Sequence, residues 1–183
     1  MKIRGNGKAK VLSSDELKKI FSQFLCPRDR LLFAICLFTG CRISEALGLD
    51  TVDIKADYVV FPKHITKGKL KSRSMALHPQ LQKFLDEYEV NKVGPLFPGR
   101  RGVNERLTRG HADKLLRAAA KRAGVLGVST HSFRRTALTI MCRNGVPLRT
   151  IQEISGHSDL GTLQRYLEVD PEEVRKALNT ISL

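Results

Sequence analysis

The sequence predicts a mainly α-helical domain with a small antiparallel β-sheet, an α+β arrangement. Apolar residues recur at helical spacing over most of the 183 residues, whereas residues 50–77 contain short runs rich in β-forming residues, separated by turn-like stretches. A hydrophobic fraction of 42% and a charged fraction of 27% are typical of a soluble globular chain. At this length the chain is expected to form one domain with a buried core.

Three helices are predicted in the N-terminal part of the chain. Ser13 and Glu16 form a capping box in front of the first helix. Pro27 is suited to the first turn of the second helix, whose apolar run predicts a buried element that ends at Gly40. The third helix is short and covers residues 42–47.

Three short strands are predicted next, and helical spacing then resumes as far as the C-terminal segment. The strands are expected to form an antiparallel sheet, with a lysine-rich loop at residues 67–71 between the last two. They cover residues 50–54, 58–61 and 72–77. The helices that follow cover residues 79–90, 108–123, 131–144, 147–155, 160–167 and 171–181.

The net charge is the first indication of function. Thirty-two Lys and Arg residues against eighteen Asp and Glu residues give a formal charge of +14 and a pI near 10.0. Such an excess favours a polyanionic partner, because neutralising phosphates releases condensed counterions. No apolar run approaches the roughly 18 residues of a membrane span, and no apolar segment follows the basic N-terminus as it would in a secretory signal. We therefore expect a cytoplasmic protein.

The cysteines do not predict a metal site or a disulfide framework. Cys26, Cys36, Cys41 and Cys142 include no CxxC pair and lack metal-ligand spacing. We interpret them as small core residues in a reducing compartment.

Two local patterns place an arginine at the start of a helix or in its first turn. Arg42 begins a helix, where unpaired backbone N–H groups favour an anion, and Glu45 is close enough to orient its guanidinium group. His131 and Arg134 share one helix face, and Thr130 is the expected cap. Taken alone, the first pattern is typical of a surface salt bridge and the second of a capped basic helix.

A third pattern ends in a tyrosine. Gly156 breaks one helix and Ser158 or Asp159 caps the next, so His157 is expected in a tight turn. Tyr166 lies nine residues after that histidine, in the following helix. Taken alone, a tyrosine in an amphipathic helix is typical of a half-buried core residue.

The ordered combination of these patterns resembles the tyrosine recombinase, or phage integrase, family. From residue 39 to residue 166 the chain contains, in order, an arginine, a lysine in a hairpin loop, His-x-x-Arg, Gly-His and a tyrosine. The resemblance implies the catalytic-domain fold of tyrosine recombinases over residues 13–183, after a basic tail at residues 1–12. A separate N-terminal core-binding domain is not expected in this chain, which is either a catalytic fragment or a naturally short recombinase.

The resemblance implies a site-specific DNA recombinase of the integrase type that needs no metal, ATP or other cofactor. Tyr166 would be the nucleophile, forming a 3′-phosphotyrosyl link and releasing a 5′ hydroxyl. Arg42 and Arg134 would clamp the non-bridging phosphate oxygens, since a planar and permanently charged guanidinium group suits that geometry. His157 would donate a further hydrogen bond to the phosphate.

The resemblance also implies groups that transfer protons. His131 would be the general base or proton carrier, because its unperturbed pKa of about 6.5 lies close to the working pH. Lys67 would be the general acid for the leaving 5′ oxygen, with Lys69 as the second candidate in the same loop. Glu45 is expected to support the site.

The implied partner is double-stranded DNA, with self-association into a tetramer on paired DNA sites and a monomer in isolation. When bound to DNA the protein would be associated with the nucleoid. Near the C-terminal end, Val174, Leu178 and Ile181 form an apolar stripe that either packs on its own domain or docks on a neighbouring protomer. Two alternative functions are a type IB topoisomerase-like nicking and closing enzyme, and a non-catalytic DNA-binding regulator that keeps the fold.

Overall fold

The computed structural model describes residues 9–66, 71–90, 93–99, 105–164, 167 and 171–181. Within these ranges the chain forms nine α-helices and a two-stranded antiparallel sheet, which confirms the predicted fold class. The helices are α1 (Ser14–Phe21), α2 (Pro27–Thr39), α3 (Ile43–Gly48), α4 (Pro79–Tyr88), α5 (Arg109–Arg122), α6 (Ser132–Arg143), α7 (Leu148–Ser155), α8 (Leu160–Gln164) and α9 (Pro171–Leu178). The strands are β1 (Tyr58–Phe61) and β2 (Arg73–Ala76).

The first helix begins where the sequence predicts, and the second begins and ends where the sequence predicts. Ser13 Oγ accepts a hydrogen bond from the Glu16 backbone N–H at 3.2 Å, and the Glu16 carboxylate accepts one from the Ser13 N–H at 3.1 Å. Pro27 is the first residue of α2. Gly40 follows the last residue of α2 with φ +61°, a left-handed conformation that a residue without a side chain adopts at little cost.

The sheet has two strands rather than the three predicted. Its register pairs Tyr58 with Ala76 and Phe61 with Arg73. The predicted strand at residues 50–54 is wrong, because a short 3₁₀ turn occupies Thr51–Asp53. The Asp53 carboxylate accepts a hydrogen bond from the Asp50 backbone N–H at 2.9 Å, and such side-chain bonds to the backbone favour a turn over a strand ladder.

The two predicted caps in the C-terminal half have opposite outcomes. Thr130 does not cap α6: that helix begins at Ser132, whose Oγ accepts from the Ser129 N–H at 3.0 Å, and Thr130 is buried. Asp159 does cap α8, since its carboxylate accepts from the Thr162 N–H at 2.8 Å.

The main hydrophobic core surrounds α2, which packs against α3, α4 and α6. Its centre is a cluster of phenylalanine rings with neighbouring centroids 4.9 to 5.8 Å apart; the members are Phe21, Phe24, Phe33, Phe84 and Phe133. A second, smaller core of Leu138, Ile151 and Leu163 joins α6, α7 and α8. The elements that carry the sequence motifs are therefore held to one another by packing.

All four cysteines lie in the described part of the chain. Cys36 and Cys41 are buried, Cys26 and Cys142 are half-buried, and all four are thiols. Among the described helices, none has the length and apolar character needed to cross a bilayer.

The apolar stripe near the C-terminal end is exposed. Val174, Leu178 and Ile181 have exposed fractions of 50%, 63% and 74%. The described part of the chain therefore does not cover these side chains.

Replacement of Phe133 by alanine tests the central core. Phe133 is fully buried, and its ring centroid lies 5.2 Å from that of Phe33. We expect Phe133→Ala to lower the free energy of unfolding by about 3–5 kcal/mol in urea titrations, because it removes buried area and leaves a cavity. Ile140 lies on the same helix and is 42% exposed, so Ile140→Ala should lower the free energy of unfolding by less than about 1 kcal/mol. Equal losses for the two variants would contradict this placement of the core.

Candidate active site

The guanidinium group of Arg134 joins the ends of two helices. It is 1% exposed, on the first turn of α6. Its Nη1 donates to the carbonyl oxygen of Gly40 at 2.6 Å, and its Nη2 donates to that of Ser155 at 2.8 Å. These carbonyls lie at the C-terminal ends of α2 and α7, where helix dipoles place partial negative charge. The first and third sequence motifs therefore meet at the arginine of the second.

His157 lies in the turn after α7 and is 6% exposed. Its ring Nε2 lies 3.1 Å from Arg134 Nη2, and its Nδ1 lies 2.7 Å from Ser155 Oγ. A guanidinium group only donates, so a neutral ring that accepts from Arg134 through Nε2 and donates to Ser155 through Nδ1 fits both contacts. Gln152 Nε2 donates to the His157 carbonyl oxygen at 3.1 Å and fixes the backbone of the turn. Sequence reasoning missed both Ser155 and Gln152.

Arg42 and Glu45 form the expected pair, but in a buried setting. Arg42 Nη1 donates to Glu45 Oε1 at 3.2 Å, and the Arg42 backbone N–H donates to Glu45 Oε2 at 2.8 Å. The Glu45 side chain is 1% exposed and that of Arg42 is 16% exposed. The pair is therefore largely withdrawn from water, unlike an ordinary surface salt bridge.

Arg73 is a third arginine at this site, and the sequence patterns did not single it out. It is the first residue of β2, and its Nη2 donates to Glu45 Oε2 at 3.2 Å. The side chain is 10% exposed, with Cζ 5.0 Å from the centroid of the Phe61 ring. The signal that could have identified it is the alternation of the strand, which turns Arg73 and Met75 inward and Ser74 outward.

Burial raises the pKa of the Glu45 carboxyl, but hydrogen bonding by the Arg42 backbone and nearby positive charges outweigh that effect, so its pKa lies below the usual value. The charges belong to Arg73, Arg42 and Arg134. The Glu45 carboxylate is therefore stabilised by the positive charges of three arginines, two of which donate hydrogen bonds to it.

His131 immediately precedes α6 and is half-buried. Burial lowers the pKa of its imidazole, and the positive charges of nearby guanidinium groups lower it further. These groups belong to Arg109, Arg134 and Arg42. The ring is therefore neutral at physiological pH, the form that accepts a proton.

Three predicted site residues, Tyr166, Lys67 and the alternative Lys69, lie outside the described residues. The described flanks of the lysine loop adjoin each other, since Thr66 Oγ1 donates to the carbonyl oxygen of Lys71 at 3.2 Å. Lys71 Nζ lies 3.1 Å from the Glu153 carboxylate on α7. In the described part of the chain, no group of three or more His, Cys, Asp or Glu side chains is arranged to hold a metal ion.

The sequence profile of the Phage integrase family matches residues 10–173. The chain belongs to this family. The match covers every described element up to the first turn of α9, including the residues around Arg134. The predicted family resemblance is confirmed.

Curated members of the family give the same result. The tyrosine recombinase XerA of Pyrococcus horikoshii is 29% identical over 177 residues, which is 95% of this chain and 62% of that protein. The tyrosine recombinase XerC of Corynebacterium glutamicum is 34% identical over 160 residues, which is 83% of this chain and 50% of that protein. This phage integrase family chain thus spans between half and two thirds of the length of these relatives.

Solved structures share the fold. A crystal structure of XerA recombinase superposes with a TM-score of 0.79 at 25% identity, over 96% of this chain and 66% of that one. The catalytic domain of bacteriophage HP1 integrase superposes with a TM-score of 0.64 at 23% identity, over 87% of both chains. The fold of this integrase family member is therefore that of a catalytic domain.

The position of Glu45 predicts how stability depends on pH. A carboxyl group whose pKa is lowered by folding stabilises the protein above its unfolded pKa of about 4.3, and this contribution is lost as the pH falls through the lower folded value. Glu45→Gln should cost about 1–3 kcal/mol of unfolding free energy at pH 7. It should also weaken the fall in stability between pH 7 and pH 3, measured by urea titration at each pH.

The matched control is Glu87→Gln. Glu87 forms an ion pair with Arg30 whose side chains are 46% and 30% exposed. Its loss should change stability at pH 7 by less than about 0.5 kcal/mol. If Glu45→Gln costs no more than Glu87→Gln, the buried pair does not support the fold as described.

Proposed function

We propose that this chain is the catalytic part of a site-specific DNA recombinase that cleaves and rejoins strands through a 3′-phosphotyrosyl link to Tyr166. The observation that carries the proposal is that Arg42 and Arg73 both bond to the buried Glu45 carboxylate, while Arg134 joins the turns that hold Arg42 and His157. Guanidinium groups that are gathered in one place and largely withdrawn from water favour the binding of an anion such as a phosphodiester. Residues 13–183 would form the catalytic domain, after the basic tail at residues 1–12.

Attack on a phosphodiester by a phenolate passes through a five-coordinate phosphorus that carries two negative charges. Permanent positive charges that are fixed before the reaction stabilise these negative charges without reorganising. Arg42 and Arg134 would bind the non-bridging oxygens as permanent cations. His157 contacts Arg134 and Ser155 and would hold the Arg134 guanidinium group in place. By family resemblance, it would also donate a hydrogen bond to the phosphate.

The proton balance requires one acceptor and one donor. The Tyr166 phenol loses its proton as its oxygen bonds to phosphorus, and His131 is neutral and can take that proton. The bond between phosphorus and the 5′ oxygen breaks, and Lys67 would protonate that oxygen, with Lys69 as the second candidate. Rejoining reverses both transfers, so the ester bond energy is kept and neither ATP nor a metal is needed.

The proposed partner is double-stranded DNA. The net charge of +14 supports binding to a polyanion. Crystals of the XerH site-specific recombinase, which shares the fold with a TM-score of 0.72, contain that protein bound to its difH substrate. By family resemblance, we propose that the chain assembles as a tetramer on paired sites and is monomeric without DNA.

Covalent capture tests the nucleophile. The 183-residue chain is incubated with a random-sequence duplex library in EDTA, SDS-resistant adducts are collected, and the selected duplex is rebuilt with a nick that prevents rejoining. We expect wild type to form the adduct and Tyr166→Phe to form none, because the variant has no phenolic oxygen. Peptide mass spectrometry should locate the nucleotide on residue 166. Failure of wild type to yield any adduct, or an adduct with Tyr166→Phe, would contradict the proposal.

The lowered pKa of His131 predicts the pH dependence of adduct formation. Since the neutral ring accepts the proton, the single-turnover rate at saturating protein should hold constant down to about pH 6.5 and fall below it. Arg109→Gln removes one of the positive charges that lower this pKa, so the acid limb should move to higher pH.

Arg117→Gln is the control for that shift. Arg117 lies on the same helix as Arg109, is 73% exposed and pairs with Asp113 at 2.8 Å. The acid limb should stay at the wild-type pH in this variant. An identical shift in both variants would point to general electrostatics rather than to His131.

A further inference from the structure

The two oxygens of the Glu45 carboxylate have different partners. Oε2 accepts from the Arg42 backbone N–H at 2.8 Å and from Arg73 Nη2 at 3.2 Å. Oε1 accepts from Arg42 Nη1 at 3.2 Å. The pair between the Arg42 and Glu45 side chains therefore has one hydrogen bond, whereas arginine and carboxylate frequently pair through two parallel bonds.

Arg73 is held at this position from three sides. Its Nη2 meets Glu45, its Cζ lies 5.0 Å from the centroid of the Phe61 ring, and its Nη1 lies against the backbone of Gly156. A Cβ atom added to Gly156 would lie 2.3 Å from that Nη1, so a larger residue at position 156 would displace the end of the Arg73 side chain. The arginine thus contacts both the Arg42–Glu45 pair and the His157 turn.

The burial of Arg73 has a cost in addition to the gain from its contacts with Glu45 and Phe61. Its Nε is buried and makes no hydrogen bond to any group that the structure describes. An unsatisfied buried donor costs about 1–3 kcal/mol, and an apolar side chain of similar length would fill the space beside Phe61 without that cost. Local features that lower stability are expected where function requires them.

We infer that Arg73 is a positioning residue that restrains Glu45, so that Arg42 keeps its charge and its outward donors for the scissile phosphate. By occupying Oε2, Arg73 limits the carboxylate to one bond with the Arg42 guanidinium. Without Arg73, both oxygens would be available to Arg42, and a two-bond pair would turn its donors toward Glu45 and away from the phosphate. This inference rests on the proposed function, since it assigns Arg73 to the same reaction.

The test is a second-site rescue. On the duplex selected by covalent capture, Arg73→Met should lower the single-turnover rate of adduct formation by about 10- to 100-fold, the range expected for a misplaced charged donor. In the Tyr166→Phe background, which prevents cleavage, Arg73→Met should change the dissociation constant for the duplex by less than about threefold. The expected effect is confined to the transition state. Adding Glu45→Gln to Arg73→Met should raise the rate by about tenfold, since the neutral amide releases Arg42.

A merely structural role for Arg73 predicts that Glu45→Gln can restore the unfolding free energy of Arg73→Met, because the two residues are in contact, but not the rate of the folded protein. A double variant that is no faster than Arg73→Met therefore overturns the inference. Arg73→Lys retains a cation for Glu45 and should be at least about fivefold faster than Arg73→Met. Equal rates for the lysine and methionine variants would also overturn it.

Arg28→Met controls for the general effect of losing a half-buried arginine. Arg28 pairs at 2.7 Å with Asp29, whose side chain is 7% exposed, at the other end of α2 and about 18 Å along the helix from Gly40. It should keep the wild-type adduct rate. If Arg28→Met is as slow as Arg73→Met, the inference fails while wild-type adduct formation still supports the proposed function. If wild type itself forms no adduct, the proposed function fails and the inference fails with it.

Discussion

The site is organised around a charged side chain that the fold buries almost completely. Arg134 is 1% exposed, and its guanidinium group is stabilised by donating to the carbonyl oxygens of Gly40 and Ser155. A buried cation of this kind is tolerated because each bond meets the negative end of a helix. The same bonds fix the backbone just before Arg42 and just before His157. The three motifs are therefore brought to one place by one set of hydrogen bonds.

The charged groups around Arg134 explain why the site is suited to binding an anion. The Glu45 carboxylate bonds to Arg42 and Arg73, while burial and neighbouring cations lower the pKa of His131. A site with several fixed guanidinium groups and a neutral proton acceptor is suited to the anionic transition state of the proposed reaction. In our inference, Arg73 determines how strongly the Glu45 carboxylate competes with a phosphate for the guanidinium group of Arg42.

Local chemistry made much of the fold and of the site predictable. The capping box of Ser13 and the left-handed Gly40 follow from neighbouring residues, and the sequence therefore predicted the start of α1 and both ends of α2. The strand predicted at residues 50–54 failed because a side-chain bond from Asp53 to the backbone overrides β propensity. Arg73 was missed because its role comes from contacts with Glu45 and Gly156, which are 28 and 83 positions away.

The most direct test of the central claim is the crystal structure of the Tyr166→Phe variant bound to its selected, uncleaved duplex. If Arg42, Arg73 and Arg134 form the phosphate site, the scissile phosphate should lie within about 3 Å of guanidinium nitrogens of both Arg42 and Arg134. His131 should lie beside that phosphate. One Glu45 oxygen should still be bonded to Arg73. A scissile phosphate bound elsewhere on the surface, with the cluster of Arg42, Arg73 and Arg134 unchanged and unoccupied, would contradict the account.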